Sequence, residues 1–238
     1  LGFTQKANGK NELSAASLNK LYDLQKLPNI NTSNSNAASF TARFRSGLIN
    51  FRIAPASINS PEADFSPSIY RDELVYATSR FDRNLAHYKQ IDPQQHLNLF
   101  TAKLSSSGEL GAPYIFSKDL LSQYFTGPIA FSPTYDTAYF VRKKFLDASL
   151  SDEKQNIKIY RAFYNKDQWL DLGPLGFCSE AFSVCYPAVS PDGKKLYFSS
   201  NKPGGIGGAD LYFCNINPDG SFGEAVNLGS KVNTTGNE

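Results

Sequence analysis

Hydrophobic and polar positions alternate most plainly between Tyr186 and Tyr212, in the phrase YPAVSPDGKKLYFSSNKPGGIGGADLY. Val189, Leu196, Phe198, Leu211 and Phe213 fall in runs of period two, the pattern of strands that bury one face. Asp192-Gly193 separates the first two runs, and a glycine there supplies the positive φ of a tight hairpin turn. Gly204, Gly205, Gly207 and Gly208 separate the second run from the third. The predicted order is therefore strand, turn, strand, glycine turn, strand.

The same pattern recurs along the chain. DFSPSIYRDELVYATS from Asp64, IAFSPTYDTAYFVRKK from Ile129 and AVSPDGKKLYFSSN from Ala188 share a frame, with prolines at Pro67, Pro133 and Pro191, 66 and 58 residues apart. A second frame follows each: Leu99-Phe100, Ile159-Tyr160 and Leu211-Tyr212 open strands, and Leu110, Trp169 and Phe222 come 10 or 11 residues later. Ser107-Gly108, Lys166-Asp167 and Asp219-Gly220 are the turns between them. Each unit thus reads as a four-stranded antiparallel meander, with blades at about 59–115, 116–175 and 176–230. Fixed-period repetition with four strands per unit predicts an all-β fold, a β-propeller and not a solenoid. The Ser-Pro-Asp-Gly phrase resembles the PD40 (WD40-like) repeat of β-propellers.

Both ends of the repeat region carry the same wording. RIAPASINSPEADFSP from Arg52 lies over NLGSKVNTTGNE from Asn227, with Ile53 on Leu228, Ile58 on Val232 and Asn59 on Asn233. Residues 48–54 are therefore expected to form an outermost strand, giving a propeller region of 48–238. Propellers have at least four blades, so three are expected to belong to a larger one. The preceding residues, 1–47, differ in character. Leu18, Leu21, Leu24 and Leu27 recur at every third position between a Ser14 N-cap and Pro28, which predicts one amphipathic helix. NINTSNSNAAS from Asn29 then reads as a flexible linker. Residues 1–54 carry seven Lys or Arg against two acids, a solvated face or a contact for an acidic partner.

Composition narrows the function classes. Thirteen Tyr and eighteen Phe beside a charged fraction of 19% describe an aromatic-packed domain, not a disordered or coiled-coil chain. A net charge of +2 with scattered Lys and Arg predicts no nucleic-acid partner. No run of apolar residues is long enough to insert in a membrane, and no signal sequence opens the chain. Met is absent, as expected of a fragment or processed form.

INSPEADFSP from Ile58, YFTGPIAFSP from Tyr124 and PGGIGGADLY from Pro203 make residues 48–238 similar to the propeller of OmpA-family, peptidoglycan-associated envelope proteins, including those accompanying the type IX secretion system. That resemblance implies an exported, periplasmic, outer-membrane-associated protein that contacts other envelope proteins and meets peptidoglycan only through domains not seen here. In that family a tetratricopeptide region often precedes the propeller, and the predicted helix near Ser14 would be its tail. The implied function is a non-enzymatic scaffold. The alternatives are a propeller enzyme or gating domain, such as a glycosidase or prolyl-peptidase-like hydrolase, and a glycan- or peptide-binding module. Pro67-Ser68-Ile69 and Pro133-Thr134-Tyr135 depart from the family pattern by lacking Asp-Gly, so their hairpins need other turns.

Few residues suggest chemistry. The glycines at 204, 205, 207 and 208 feed a strand and not a helix, so they are expected to shape a turn and not to cradle phosphate, with Asp210 capping turn amides. Asp64 and Asp192 read the same way, as turn-fixing acids, with Gly193 beside the latter. His87 and His96 lack further metal ligands nearby. No nucleophile elbow or catalytic triad motif is present, and no catalytic residue, cofactor or metal is expected. Cys178 and Cys185 would close a short ring worth about 2.5 kcal/mol if bonded; the alternative is three buried thiols, with Cys214 free in either case. Tyr88, Tyr124 and Phe125, in or beside the longest insertions, are the candidates for a partner surface, with a core role the alternative for Phe125.

Overall fold

The computed structural model describes residues 55–80, 97–122, 125–143 and 156–238. The chain divides into two units, Leu1–Ala54 and Pro55–Glu238, and all described residues lie in the second. The expected helix at 14–27, the strand at 48–54, and His87, Tyr88, His96 and Tyr124 lie outside the described residues.

Among the described residues, twelve strands form three sheets. The first blade contains β1 (Asp64–Tyr70), β2 (Glu73–Thr78), β3 (Asn98–Lys103) and β4 (Tyr114–Ile115). The second contains β5 (Phe125–Phe131), β6 (Thr137–Lys143), β7 (Lys158–Asn165) and β8 (Gln168–Pro174), and the third β9 (Val184–Val189), β10 (Lys195–Ser200), β11 (Asp210–Asn215) and β12 (Val226–Asn227). Each sheet is an antiparallel meander in chain order. The first strands of successive blades are neighbours, β1 beside β5 and β5 beside β9, so the meanders radiate from a common axis. Four-stranded meanders arranged in this way are propeller blades.

Aromatic and aliphatic side chains fill the two spaces between blades. Val75, Ala77 and Leu99 of the first blade meet Phe131, Phe140, Tyr160 and Trp169 of the second. Tyr70 anchors this layer, its ring 4.7 Å from Phe131 and 5.8 Å from Trp169. Between the second and third blades, Tyr139, Val141 and Ile159 face Leu196, Phe198, Tyr212 and Cys214. The middle blade is covered on both faces, so β6 is buried at five consecutive positions, whereas β10 alternates at its start. Burying whole aromatic side chains of this size contributes about 1.5–3 kcal/mol each.

Turn residues fix the registers. Lys166 and Asp167 join β7 to β8 with φ of 47° and 62°, the pair of positive values of a type I′ hairpin. Gly108 and Gly220 take φ of 83° and 77° in the matching hairpins of the other blades.

The Ser-Pro dipeptides correct the sequence frame at one point. Pro133 and Pro191 lie in the turns between first and second strands, but Pro67 lies inside β1. The first hairpin is shorter than the others: Tyr70 pairs with Glu73, so only Arg71, at φ 55°, and Asp72 turn the chain. Its Ser-Pro therefore falls upstream of the turn.

Candidate functional site

A Pro in each first strand breaks the ladder. Ser66-Pro67, Gly127-Pro128 and Tyr186-Pro187 each set two residues against one residue of the second strand, Tyr76, Val141 and Phe198 respectively. Proline has no N–H to donate, so a bulge is where a strand accommodates it. Ser66 and Tyr186 adopt φ of 52° and 53° there, a costly conformation for residues with a Cβ. Gly127 has its own reason to be glycine: a Cβ would meet the Phe125 ring at 2.9 Å.

These bulges line an axial cavity of about 500 Å³. Its wall holds five prolines, Pro67, Pro128, Pro133, Pro187 and Pro191, together with Tyr135, Tyr186 and several serines, and among the described residues none that lines it is charged. Tyr186 is 59% exposed and Ile69 46%. The described part of the wall thus offers apolar rims and hydroxyls.

The acids near the cavity secure its turns. In the third blade the Ser190 hydroxyl donates to Asp192 Oδ1 at 2.6 Å and accepts from the Lys195 N–H at 2.9 Å. The Ser190 hydroxyl and then the Lys194 N–H hold the Asp192 carboxyl below its usual range. Gly193, at φ 70°, completes this turn, and a Cβ on it would meet Pro133 Cδ at 3.3 Å. In the second blade Ser132 donates to Asp136 at 2.9 Å and accepts from Thr137 N–H, while Tyr135 takes φ 58°. Asp136 and Tyr135 therefore replace Asp-Gly. The sequence reading missed both, although Asp136 stands four residues after a Ser-Pro serine, within its reach.

Asp64 and Asp210 close two other turns. Asp64 accepts from the Ser60 N–H at 2.7 Å and hydroxyl at 2.9 Å, and lies 3.5 Å from Arg80. Burial opposes its ionisation, but the Thr78 hydroxyl, the two Ser60 donors and Arg80 outweigh that and lower its pKa. Asp210, 1% exposed, accepts from the N–H groups of Ile206 and Gly207 and from Asn227 Nδ2. Burial is again outweighed by these donors, and the carboxyl sits below its usual range. The Ile206 and Gly207 amides are thus taken by Asp210, and the Gly208 amide donates to the Gly236 carbonyl. Gly204 bends at φ 89°, Gly205 leaves room for the Asp210 carboxylate, which a Cβ would approach to 2.3 Å, and Gly207 and Gly208 lie against residues 234–237.

The other candidates are placed differently. Cys178, Cys185 and Cys214 are all free thiols, so the 178–185 bond is not formed. Cys178 Sγ lies 3.7 Å from the Ile159 carbonyl, while Cys185 sits beside Ser199. Burial pushes Cys185 and Cys214 up to about 11. Phe125 is half-buried and packs against both hydrophobic clusters, a wedge between blades and not a presented ring. The exposed apolar side chains lie elsewhere: Phe163, 41% exposed, pairs with Leu170, 46% exposed, and Leu172, 53% exposed, follows on the same face of β8. Among the described residues no cluster of three metal-ligating side chains occurs, and no helix is long and apolar enough to cross a membrane.

No protein-family model matches the chain, and no curated protein matches it. Among solved structures it is similar to a putative TolB from Agrobacterium tumefaciens, at 16% identity and a TM-score of 0.36, covering 67% of this chain and 43% of that one. It is similar to a putative 6-phosphogluconolactonase from Bacteroides uniformis at 13% identity and a TM-score of 0.38, covering 75% and 46%. It is also similar to prolyl oligopeptidase B from Galerina marginata at 12% identity and a TM-score of 0.38, covering 68% and 21%. The chain spans less than half the length of each of these proteins.

Proposed function

We propose that this propeller is a non-enzymatic, periplasmic scaffold that joins protein partners in an outer-membrane, cell-wall-associated assembly of the type IX secretion kind. The observation that carries this reading is the axial wall, whose described residues are all uncharged. A hydrolase at a propeller axis needs a nucleophile with a base, or paired carboxylates. Asp136 and Asp192, in the turns beside the cavity, accept hydrogen bonds that close those turns. The envelope setting rests on the resemblance of INSPEADFSP, YFTGPIAFSP and PGGIGGADLY to OmpA-family propellers.

Phe163, Leu170 and Leu172 supply the contact surface, a contiguous apolar patch on the outer part of the second blade. Such a patch at a sheet margin is a protein-binding feature, since an unprotected one invites aggregation. Crosslinking and pull-down from intact envelopes tests the reading. Wild type is expected to recover outer-membrane or wall-associated proteins, and Leu170→Ser with Leu172→Ser to lose them while keeping the wild-type melting curve. Unchanged recovery by that variant removes the patch from the reading. Hydrolytic turnover by the purified protein, or recovery of cytosolic proteins alone, overturns the scaffold itself.

A further inference from the structure

The seam between the second and third blades holds two adjoining cavities of about 410 Å³ each, a size that takes a ligand. Arg161, Leu172 and Gly220 line both, so the cavities meet at the Arg161 side chain. Pro174, Leu175, Phe177 and Phe222 wall the first, and Tyr139, Phe163, Val189 and Ile216 the second. The groove they form continues the exposed apolar patch of the second blade, since Phe163 and Leu172 belong to both.

Charge decides what fits there. Arg161 is half-buried, its Nη1 donates to Gly220 O at 2.5 Å, and its guanidinium lies 5.8 Å from the centre of the Phe222 ring. That hydrogen bond uses one of the five N–H donors of a group that stays charged at any physiological pH. The ion pairs among the described residues join Arg80 to Asp64, Arg142 to Asp171 and Lys158 to Glu180, so no described carboxylate neutralises Arg161. Asp219 lines the second cavity, but Ser221 engages its Oδ1 through N–H and hydroxyl, at 2.9 and 2.6 Å. In the first cavity Arg161 is the one charged residue among those described. A guanidinium between apolar walls is complemented by a carboxylate set among apolar side chains. Strand addition along β8 is a poorer fit, because Asp119 takes the Trp169 N–H at 3.0 Å and Asp171 takes the Gly173 N–H at 2.9 Å.

We propose that this groove binds an extended segment of a partner protein with one internal Asp or Glu between apolar side chains, its carboxylate on Arg161 and an apolar side chain in each cavity. The acid is internal because the cavities adjoin at Arg161, so the bound segment continues past the guanidinium in both directions. The proposal rests on the reading of the Phe163, Leu170 and Leu172 patch as a contact surface, and names the chemistry of what that surface contacts. Gly176 offers a way to close the first cavity without touching Arg161: its φ is not positive, and a Cβ built on it meets nothing within 4 Å.

Peptide arrays test this. The purified protein is applied to hexapeptides in which one Asp, Glu, Asn, Gln or Lys interrupts Leu, Val and Phe, each with an amidated or a free C-terminus. Amidated peptides with an internal Asp or Glu are expected to bind at least about ten-fold more tightly than their Asn or Gln counterparts, and less tightly as salt rises. Arg161→Met is expected to erase that preference, and Gly176→Leu to abolish binding while keeping the wild-type melting temperature. Equal binding of acid and amide peptides, no binding of either, a preference that survives Arg161→Met, or binding that needs a free C-terminal carboxylate overturns the proposal. If acid and amide peptides bind alike while Leu170→Ser with Leu172→Ser still loses envelope proteins, the acidic partner falls and the scaffold reading stands. An acid preference that depends on Arg161, in a protein that recovers no envelope proteins, upholds the groove and removes the envelope setting.

Discussion

Asp192 and Asp136 do one job from two places in a turn. Each accepts the hydroxyl of a Ser-Pro serine, from two residues away in the third blade and from four in the second. The positive φ of the turn falls to Gly193 in one case and Tyr135 in the other. Gly193→Val forces a β-branched residue to φ 70° and adds carbon where Pro133 Cδ is already 3.3 Å from an added Cβ. The strain alone costs about 1–3 kcal/mol, and the contact with Pro133 adds to it. Asp192→Ala is expected to cost less, since only turn bonds at an exposed carboxylate are lost. Thermal melts check the order. An unchanged melt for Gly193→Val would mean that the turn readily takes another form. Asp-Gly was legible in the sequence because it encodes φ directly, whereas Tyr135 was not, because nothing local announces a tyrosine at positive φ.

At the level of elements, repetition made the strands legible and a change of hairpin length hid one alignment. The alternating runs from Leu74, Ala138 and Leu196 became second strands, and the turns at 107–108, 166–167 and 219–220 joined third and fourth strands. Ser-Pro misled at Pro67 because proline suits a bulge as well as a turn. Nor does sequence spacing reveal the brace of the second blade. Arg142 in β6 reaches across to an ion pair with Asp171 in β8 and donates to the Leu120 carbonyl at 3.1 Å. Its guanidinium lies over the Phe140 and Tyr160 rings at 4.8 and 5.1 Å. Arg142 is 7% exposed, so its loss opens packing as well as a charge pair. Arg142→Ala is expected to cost about 3 kcal/mol, read as a fall of about 6–12 °C in melting temperature. Arg142→Lys should recover little, since an ammonium cannot span both partners or stack as a planar fork. Full recovery by lysine would show that the charge alone matters.

Across the whole molecule, acids placed at turns tie stability to pH in one direction. Asp64, Asp136, Asp192, Asp210 and Asp219 all have carboxyl pKa values below the usual aspartate range. For Asp64, Asp136 and Asp210 burial acts the other way and is overcome by hydroxyl and N–H donors; for Asp192 and Asp219 neighbouring serines, Ser190 and Ser221, act first. In the unfolded chain these groups take up protons near pH 4, while the folded protein resists until lower pH. In that window the unfolded state binds more protons, so stability falls as pH falls. The contribution is complete above the unfolded value and is lost on passing down through the folded ones. The turns concerned lie in all three blades, so acid loosens the molecule as a whole and not one hairpin. Urea midpoints measured from pH 7 downward are expected to stay nearly level to about pH 5 and to drop below about pH 4. Asp64→Asn and Asp210→Asn together should lower the midpoint at neutral pH and flatten the acid limb. A double variant with the wild-type acid slope would mean that other carboxyls carry the dependence, and that these two turns are held by their backbone alone.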